Sequence, residues 1–315
     1  MSNIKQQKLQ KLCDKNGIIG ALAIDQRGAL RRMLGDDIPA SQAELFKSLV
    51  SKNLTPYASS ILLDPEYGWV AANQKVPNCG LIMAYEKTGY DKNIPGRYPD
   101  LIDNVSVLRL KEKGADAVKL LLYVDVDEGD TVNDVKKTFV ERVGAECKAE
   151  GLPFFLEILT YDAEISNKKA FASLKPHKVI EAMKQYSDPR FAVDVLKVEV
   201  PVDMNFVQSY GDDVVHTAAQ AQTYFKQQSD ATNLPFIFLS AGVKPKLFQD
   251  TLIFAKQAGS RFNGVLCGRA TWAGAAEQFK AQGEQAANQW LQSEGVKNIS
   301  ELNDILKVTA TPIKF

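Results

Sequence analysis

Residues 117–124 read Ala-Val-Lys-Leu-Leu-Leu-Tyr-Val, a short apolar run interrupted by one lysine. A run this continuous suits a strand covered on both faces, which is the situation of a parallel sheet. Seven further runs have the same character, at 18–24, 60–63, 81–85, 154–159, 195–200, 236–239 and 264–267. Amphipathic or helix-prone stretches lie between most of them, at 42–54, 100–113, 134–150, 176–186, 217–228, 245–258 and 272–281. The pattern is strand then helix, eight times over. Strand starts recur mostly at 35 to 41 residues, and such a repeat either closes into a barrel or spreads as an open sheet. No dinucleotide fingerprint and no composition break between halves supports the open sheet, and eight units fill roughly the 250 residues of a (β/α)8 barrel. The expected fold is therefore α/β, a single (β/α)8 TIM barrel over 1–315. An N-terminal helix at 5–15 is expected to cap the barrel bottom, with extra C-terminal helices at 284–293 and 299–308.

Composition narrows the function. The 315 residues carry 38 Lys and Arg against 38 Asp and Glu, which leaves no net field to draw the chain to nucleic acid or an anionic membrane. No apolar stretch reaches the roughly 18 residues of a membrane span, and 1–15 lacks the hydrophobic centre of a signal peptide, so a cytoplasmic protein is expected. Cys13, Cys79, Cys147 and Cys267 are scattered in apolar settings without a C-x-x-C, which reads as reduced core thiols. With only His177 and His216 in the chain, a three-histidine metal site is impossible, and no H-E-x-x-H, G-x-S-x-G or phosphate-binding glycine motif occurs. Neither a metal nor a cofactor is expected, and both histidines read as structural or surface residues.

In a barrel of this kind chemistry sits at the C-terminal ends of the strands. Those ends are rich in polar residues: Asp25-Gln26-Arg27-Gly28, Asp64, Glu86-Lys87, Lys119, Glu157, Lys197 with Glu199, Ser240-Ala241-Gly242, and Gly268-Arg269. Lys119, Glu157 and Lys197 are flanked by apolar neighbours, and a buried unpaired charge costs several kcal/mol or is neutralised. Ion pairs within the barrel are the plain structural explanation for any one of them. Two lysines and two glutamates on consecutive strands argue for more. By alternation Lys197 and Glu199 both point inward. An amine with reference pKa about 10.4 becomes a nucleophile near neutrality only when burial or a second cation favours its neutral form. Lys119 is the expected second cation and Lys197 the nucleophile, since such amines form Schiff bases with carbonyls. Small residues at 240–242, with Gly268 and Arg269 before a helix, suit a phosphate held by backbone N–H groups and a guanidinium.

The stretches A-I-D-Q-R-G-A-L (23–30), S-S-I-L-L-D-P-E-Y-G (59–68), A-Y-E-K-T-G-Y (84–90), P-F-F-L-E-I-L-T-Y-D (153–162), D-V-L-K-V-E-V-P-V (194–202), L-S-A-G-V (239–243) and N-G-V-L-C-G-R-A-T-W-A-G (263–274) together resemble the class I tagatose 1,6-bisphosphate aldolases over nearly the whole chain. The resemblance implies a metal-independent lyase that splits tagatose 1,6-bisphosphate into dihydroxyacetone phosphate and glyceraldehyde 3-phosphate in the tagatose 6-phosphate route of lactose and galactose breakdown. It implies Lys197 as the Schiff-base lysine, Glu157 as acid and base, Asp25 near the C4 hydroxyl and Lys119 as companion lysine. Ser240, Ala241, Gly242, Gly268 and Arg269 match the loops around the ketone-side phosphate, and Gln26 is expected to face the substrate. It also implies a phosphorylated ketose as partner and a homo-oligomer. Arg27 or Lys87 is a candidate for the distal phosphate, with a surface salt bridge as the alternative for each. Some class I fructose bisphosphate aldolases use a C-terminal tyrosine. The last residue here is Phe315, so a tail acting here has no terminal phenol.

Three other readings remain open on the sequence: a Schiff-base aldolase preferring fructose 1,6-bisphosphate or a sulfonated ketose phosphate, a barrel glycosidase using Glu157 and Glu199, and a non-catalytic sugar-phosphate sensor.

Overall fold

The computed structural model describes residues 2–35, 38–87 and 94–315. Eight strands pair in parallel and in sequence order: β1 (Ile19–Ala23), β2 (Ser60–Leu63), β3 (Gly80–Ala84), β4 (Ala117–Val124), β5 (Phe154–Thr160), β6 (Val195–Val198), β7 (Phe236–Leu239) and β8 (Gly264–Cys267). Pairing of β1 with β8 closes the barrel, with Ile19 opposite Gly264. The helices, in chain order, are α1 (Asn3–Lys11), α2 (Gly28–Leu34), α3 (Ala40–Leu54), α4 (Trp69–Ala72), α5 (Val107–Glu112), α6 (Asp130–Glu150), α7 (Lys168–Tyr186), α8 (Ala218–Asp230), α9 (Pro245–Gln257), α10 (Arg269–Gln282), α11 (Glu284–Trp290) and α12 (Val296–Thr309). A π-helical turn over Leu291–Gly295 joins the last two. This is the (β/α)8 barrel the repeat predicts, with extra helices at both ends.

Alternation sorts the strand residues into two cores. Outward side chains such as Leu22, Val118, Leu156 and Leu196 pack against the helices. Inward ones, among them Ile19, Ala21, Leu62, Ile82, Ala117, Phe155, Val195 and Ile237, fill the barrel. Leu9 and Leu12 join this inner core from the α1 end, as expected of a helix beneath the barrel. Ile313 joins it too: its N–H donates to the Gly17 carbonyl at 2.8 Å, and Thr311 N–H donates to Phe262 O at 2.8 Å. The C-terminal segment thus crosses the N-terminal face of the barrel, opposite the strand ends where chemistry is expected.

Three departures from the sequence reading have local causes. Residues 100–113 do not form one helix: Leu101 makes an antiparallel bridge to Glu86, and α5 starts only after Ser106, whose Oγ accepts Arg109 N–H at 3.2 Å. Helix α7 starts eight residues before Pro176, capped by the Asn167 side chain. A proline inside a helix cannot donate to the carbonyl four residues back. That carbonyl, Ala172 O, instead meets His216 Nε2 at 3.0 Å, which explains why His216 is buried. Strand β6 ends at Val198, short of residue 200. His177 is exposed and faces Asp127. All four cysteines are free thiols, with burial pushing Cys79 and Cys267 up to about 12. Among the described residues no helix is long and apolar enough to cross a membrane.

Candidate active site

The strand ends surround a cavity of about 530 Å3 at the C-terminal mouth of the barrel. Asp25, Gln26, Lys119, Glu157, Lys197, Ser240, Ala241, Gly242, Gly268 and Arg269 all line it. Inward alternation puts Lys119 on β4, Glu157 on β5 and Lys197 on β6 at successive staves, with Glu157 and Lys197 directly opposite in the ladder. Glu157 bridges the two lysines: its Oε1 accepts from Lys197 Nζ at 2.7 Å and its Oε2 lies 3.2 Å from Lys119 Nζ. Lys119 also meets Asp25 at 2.8 Å and Glu86 at 2.5 Å. Three carboxylates therefore face two lysine side chains in a largely buried cluster.

The electrostatics follow from that count. Burial pushes the Lys119 ammonium down, but Asp25, Glu86 and Glu157 outweigh it and hold it well above the usual lysine range. Its positive charge is shared with Glu157, which stands between it and Lys197. Burial likewise pushes Asp25 up, and the Lys119 and Lys197 charges reverse this, holding its carboxyl below the ordinary carboxylate range.

Glu86 belongs to this site and was missed as a site residue. Besides holding Lys119, it accepts Leu121 N–H at 3.0 Å, and its carbonyl accepts from Arg27 at 2.9 Å. The available signal was its place at the end of strand three, in A-Y-E-K. Of that motif, residues 88–90 lie outside the described residues. Glu199 does not join the site. Because β6 stops at Val198, the extended alternation that would aim Glu199 inward no longer applies. It accepts instead from Thr160 N–H at 2.7 Å and Thr160 Oγ1 at 2.8 Å, and pairs with Lys175 of α7 at 3.2 Å. The glycosidase reading loses its second carboxylate.

On the next stave after Lys197, the β7 end makes a small-residue loop. Ala241 and Gly242 both have left-handed backbone, at φ 49° and 77°. A Cβ at Gly242 would lie 2.8 Å from Arg269 Nη2, so glycine there lets the guanidinium lie over the loop. Helix α10 starts at Arg269, which turns its positive end toward the same wall. Gln26 lines the cavity, and its Oε1 is buried with no hydrogen-bond partner among the described residues. Of the two distal-phosphate candidates, Arg27 is a buried strut between Glu66 (3.0 Å) and Glu86 (3.5 Å), while Lys87 is held at the rim by Asp100 (2.9 Å) and Asp103 (2.7 Å).

A lysine–carboxylate pair at a barrel mouth, in one cavity with a small-residue loop and Arg269, is an arrangement that aldol chemistry can use. The family model described as DeoC/LacD family aldolase matches residues 19–274. The chain is 57% identical to tagatose 1,6-diphosphate aldolase 1 of Streptococcus mutans, over 98% of each chain. It is 56% identical to tagatose 1,6-diphosphate aldolase 1 of Enterococcus faecalis, over 99% of this chain and 98% of that one. Among solved structures, a fructose-bisphosphate aldolase from Plasmodium falciparum superposes with a TM-score of 0.71 at 14% identity, covering 99% of this chain and 97% of that one, a likeness of fold. A family match across the whole barrel and identity above half over nearly the full length place this chain in the DeoC/LacD family of aldolases.

Proposed function

We propose that this aldolase cleaves tagatose 1,6-bisphosphate to dihydroxyacetone phosphate and glyceraldehyde 3-phosphate through a Schiff base on Lys197. The observation that carries the reading is the buried Lys197 amine 2.7 Å from the Glu157 carboxylate, in one cavity with the 240–242 loop and Arg269. Lys197 attacks the C2 carbonyl, and Glu157 carries the protons as the carbinolamine loses water. Asp25 takes the C4 hydroxyl proton. The C3–C4 electron pair then moves into the iminium, glyceraldehyde 3-phosphate leaves, and an enamine remains. Protonation at C3 and hydrolysis release dihydroxyacetone phosphate and restore the free amine. Lys119 holds Asp25, Glu86 and Glu157 in register, and the loop wall fixes the C1 phosphate. The same reading assigns the enzyme to the tagatose 6-phosphate route of lactose and galactose breakdown, in the cytoplasm, as a homo-oligomer. The activity named for the relatives supports the choice of substrate.

Incubation with dihydroxyacetone phosphate and borohydride in EDTA, followed by peptide mass spectrometry, tests the chemistry. An adduct at Lys197 supports it, whereas a folded protein without an adduct there rejects it and favours the sensor. The ratio of kcat/KM for tagatose and fructose 1,6-bisphosphates, which differ only at C4, tests the substrate.

A further inference from the structure

Lys47 does not line the cavity, yet it is completely buried in α3. Its ammonium is bonded to the carboxylate of Asp64, itself completely buried just past β2, and donates to the Ile24 carbonyl at 2.8 Å. The other Asp64 oxygen accepts the N–H groups of Glu66 at 3.0 Å and Tyr67 at 2.9 Å, so the pair also fixes the turn that follows β2. Ile24 N–H donates to Leu62 O at 2.9 Å, the last rung between β1 and β2. One residue earlier, the Ala23 carbonyl accepts from Trp272 Nε1 of α10 at 2.8 Å. The two carbonyls that precede Asp25 are thus held by side chains from two different helices. A buried ion pair is a weak stabiliser, because desolvation offsets the Coulomb gain and apolar replacements of similar volume often serve the fold as well. Its value here lies in where it ends, one peptide from the carboxylate that faces Lys119.

We propose that Lys47 is a positioning residue for carbon–carbon cleavage: by holding Ile24 O and Asp64 it sets the peptide plane that aims the Asp25 carboxylate, while leaving the amine chemistry of Lys197 alone. The inference rests on the Schiff-base reading, and its test separates the two. In Lys47→Met, kcat for cleavage of the ketose bisphosphate falls about tenfold or more while KM changes less than about threefold. Borohydride capture of dihydroxyacetone phosphate at Lys197 keeps a rate within about twofold of the wild type. Added to Asp25→Asn, Lys47→Met costs less than about a further twofold, because both act through one carboxylate. If Lys47→Met does not fold, Lys47→Met/Asp64→Asn, which leaves no unpaired charge and keeps an acceptor for the turn, carries the same expectations. Cleavage within about threefold of wild type in a folded variant, capture falling in step with cleavage, or full additivity with Asp25→Asn overturns the role of Lys47. Absence of capture by the wild-type protein overturns the Schiff-base reading and the role together.

Discussion

The two ends of the barrel interior are built from the same strands on the same alternation, and they differ completely in chemistry. On β5 the inward residues run from Phe155 to Glu157, and on β6 from Val195 to Lys197. Two residues, roughly 6.6 Å of strand, separate a layer of hydrocarbon from a layer of charge. The lower layer is sealed by Leu9, Leu12 and Ile313, and its side chains meet through dispersion and excluded water. The upper layer sets Asp25, Glu86 and Glu157 against Lys119 and Lys197 and persists only because each charge has a partner. The contrast teaches that stability and chemistry are divided along the barrel axis. The lower end can be weakened without touching the reaction, and the upper end disabled without unfolding the chain.

The largest expected effect is at the top. Lys197→Met lowers kcat about 10^4-fold or more and abolishes borohydride capture, while Glu157 keeps Lys119 as a partner and the fold survives. Circular dichroism and steady-state kinetics check both halves, and a variant that cleaves substrate at a tenth of the wild-type rate breaks the assignment. Next comes the bottom. Phe155→Ala, one rung below Glu157 on the inward face, costs about 3–5 kcal/mol of stability in urea melts but leaves kcat of the folded protein within about twofold. A matching loss of kcat would show that the two layers are not independent. Smaller again, Arg269→Ala raises KM for the bisphosphate about tenfold with a lesser change in kcat, as loss of one charged hydrogen bond to a phosphate implies. An unchanged KM would move the phosphate away from that wall.

The smallest effect is on pH dependence. The folded state holds the Asp25 carboxyl below the ordinary range, so its contribution to stability is present above an unfolded value of about 3.9 and fades as pH falls toward the lower folded value. The Tm gap between the wild type and Asp25→Asn is therefore widest near neutrality and narrows below about pH 4. A gap that widens with acid would show that the lysines do not stabilise this carboxylate.

Much of this contrast was legible in the residue order. Strands β2, β4, β7 and β8 have the limits read from the sequence, because each ends where a continuous apolar run meets a polar or glycine-rich turn. Lys119, Glu157 and Lys197 stood out because a charge inside such a run needs a partner. Glu199 was misread for the opposite reason: alternation predicts direction only while the strand continues, and where β6 stops depends on pairing. Pro176 looked like a helix start. It is a helix interior, made tolerable by a histidine forty residues later in the chain. Glu86 was marked only by its place at a strand end and Lys47 by nothing local, since the partners of both come from other βα units.

By itself, then, the sequence determined the eightfold βα repeat, the charges inside strands at Lys119, Glu157 and Lys197, and the small-residue turns, because strand period and burial cost are local properties. Only the tertiary structure decided which charges neutralise which, that the last residues lie beneath the barrel rather than over its mouth, and that α3 reaches through to the strand carrying Asp25. Those outcomes depend on distances between segments far apart in the chain, and closure of the barrel is what sets them.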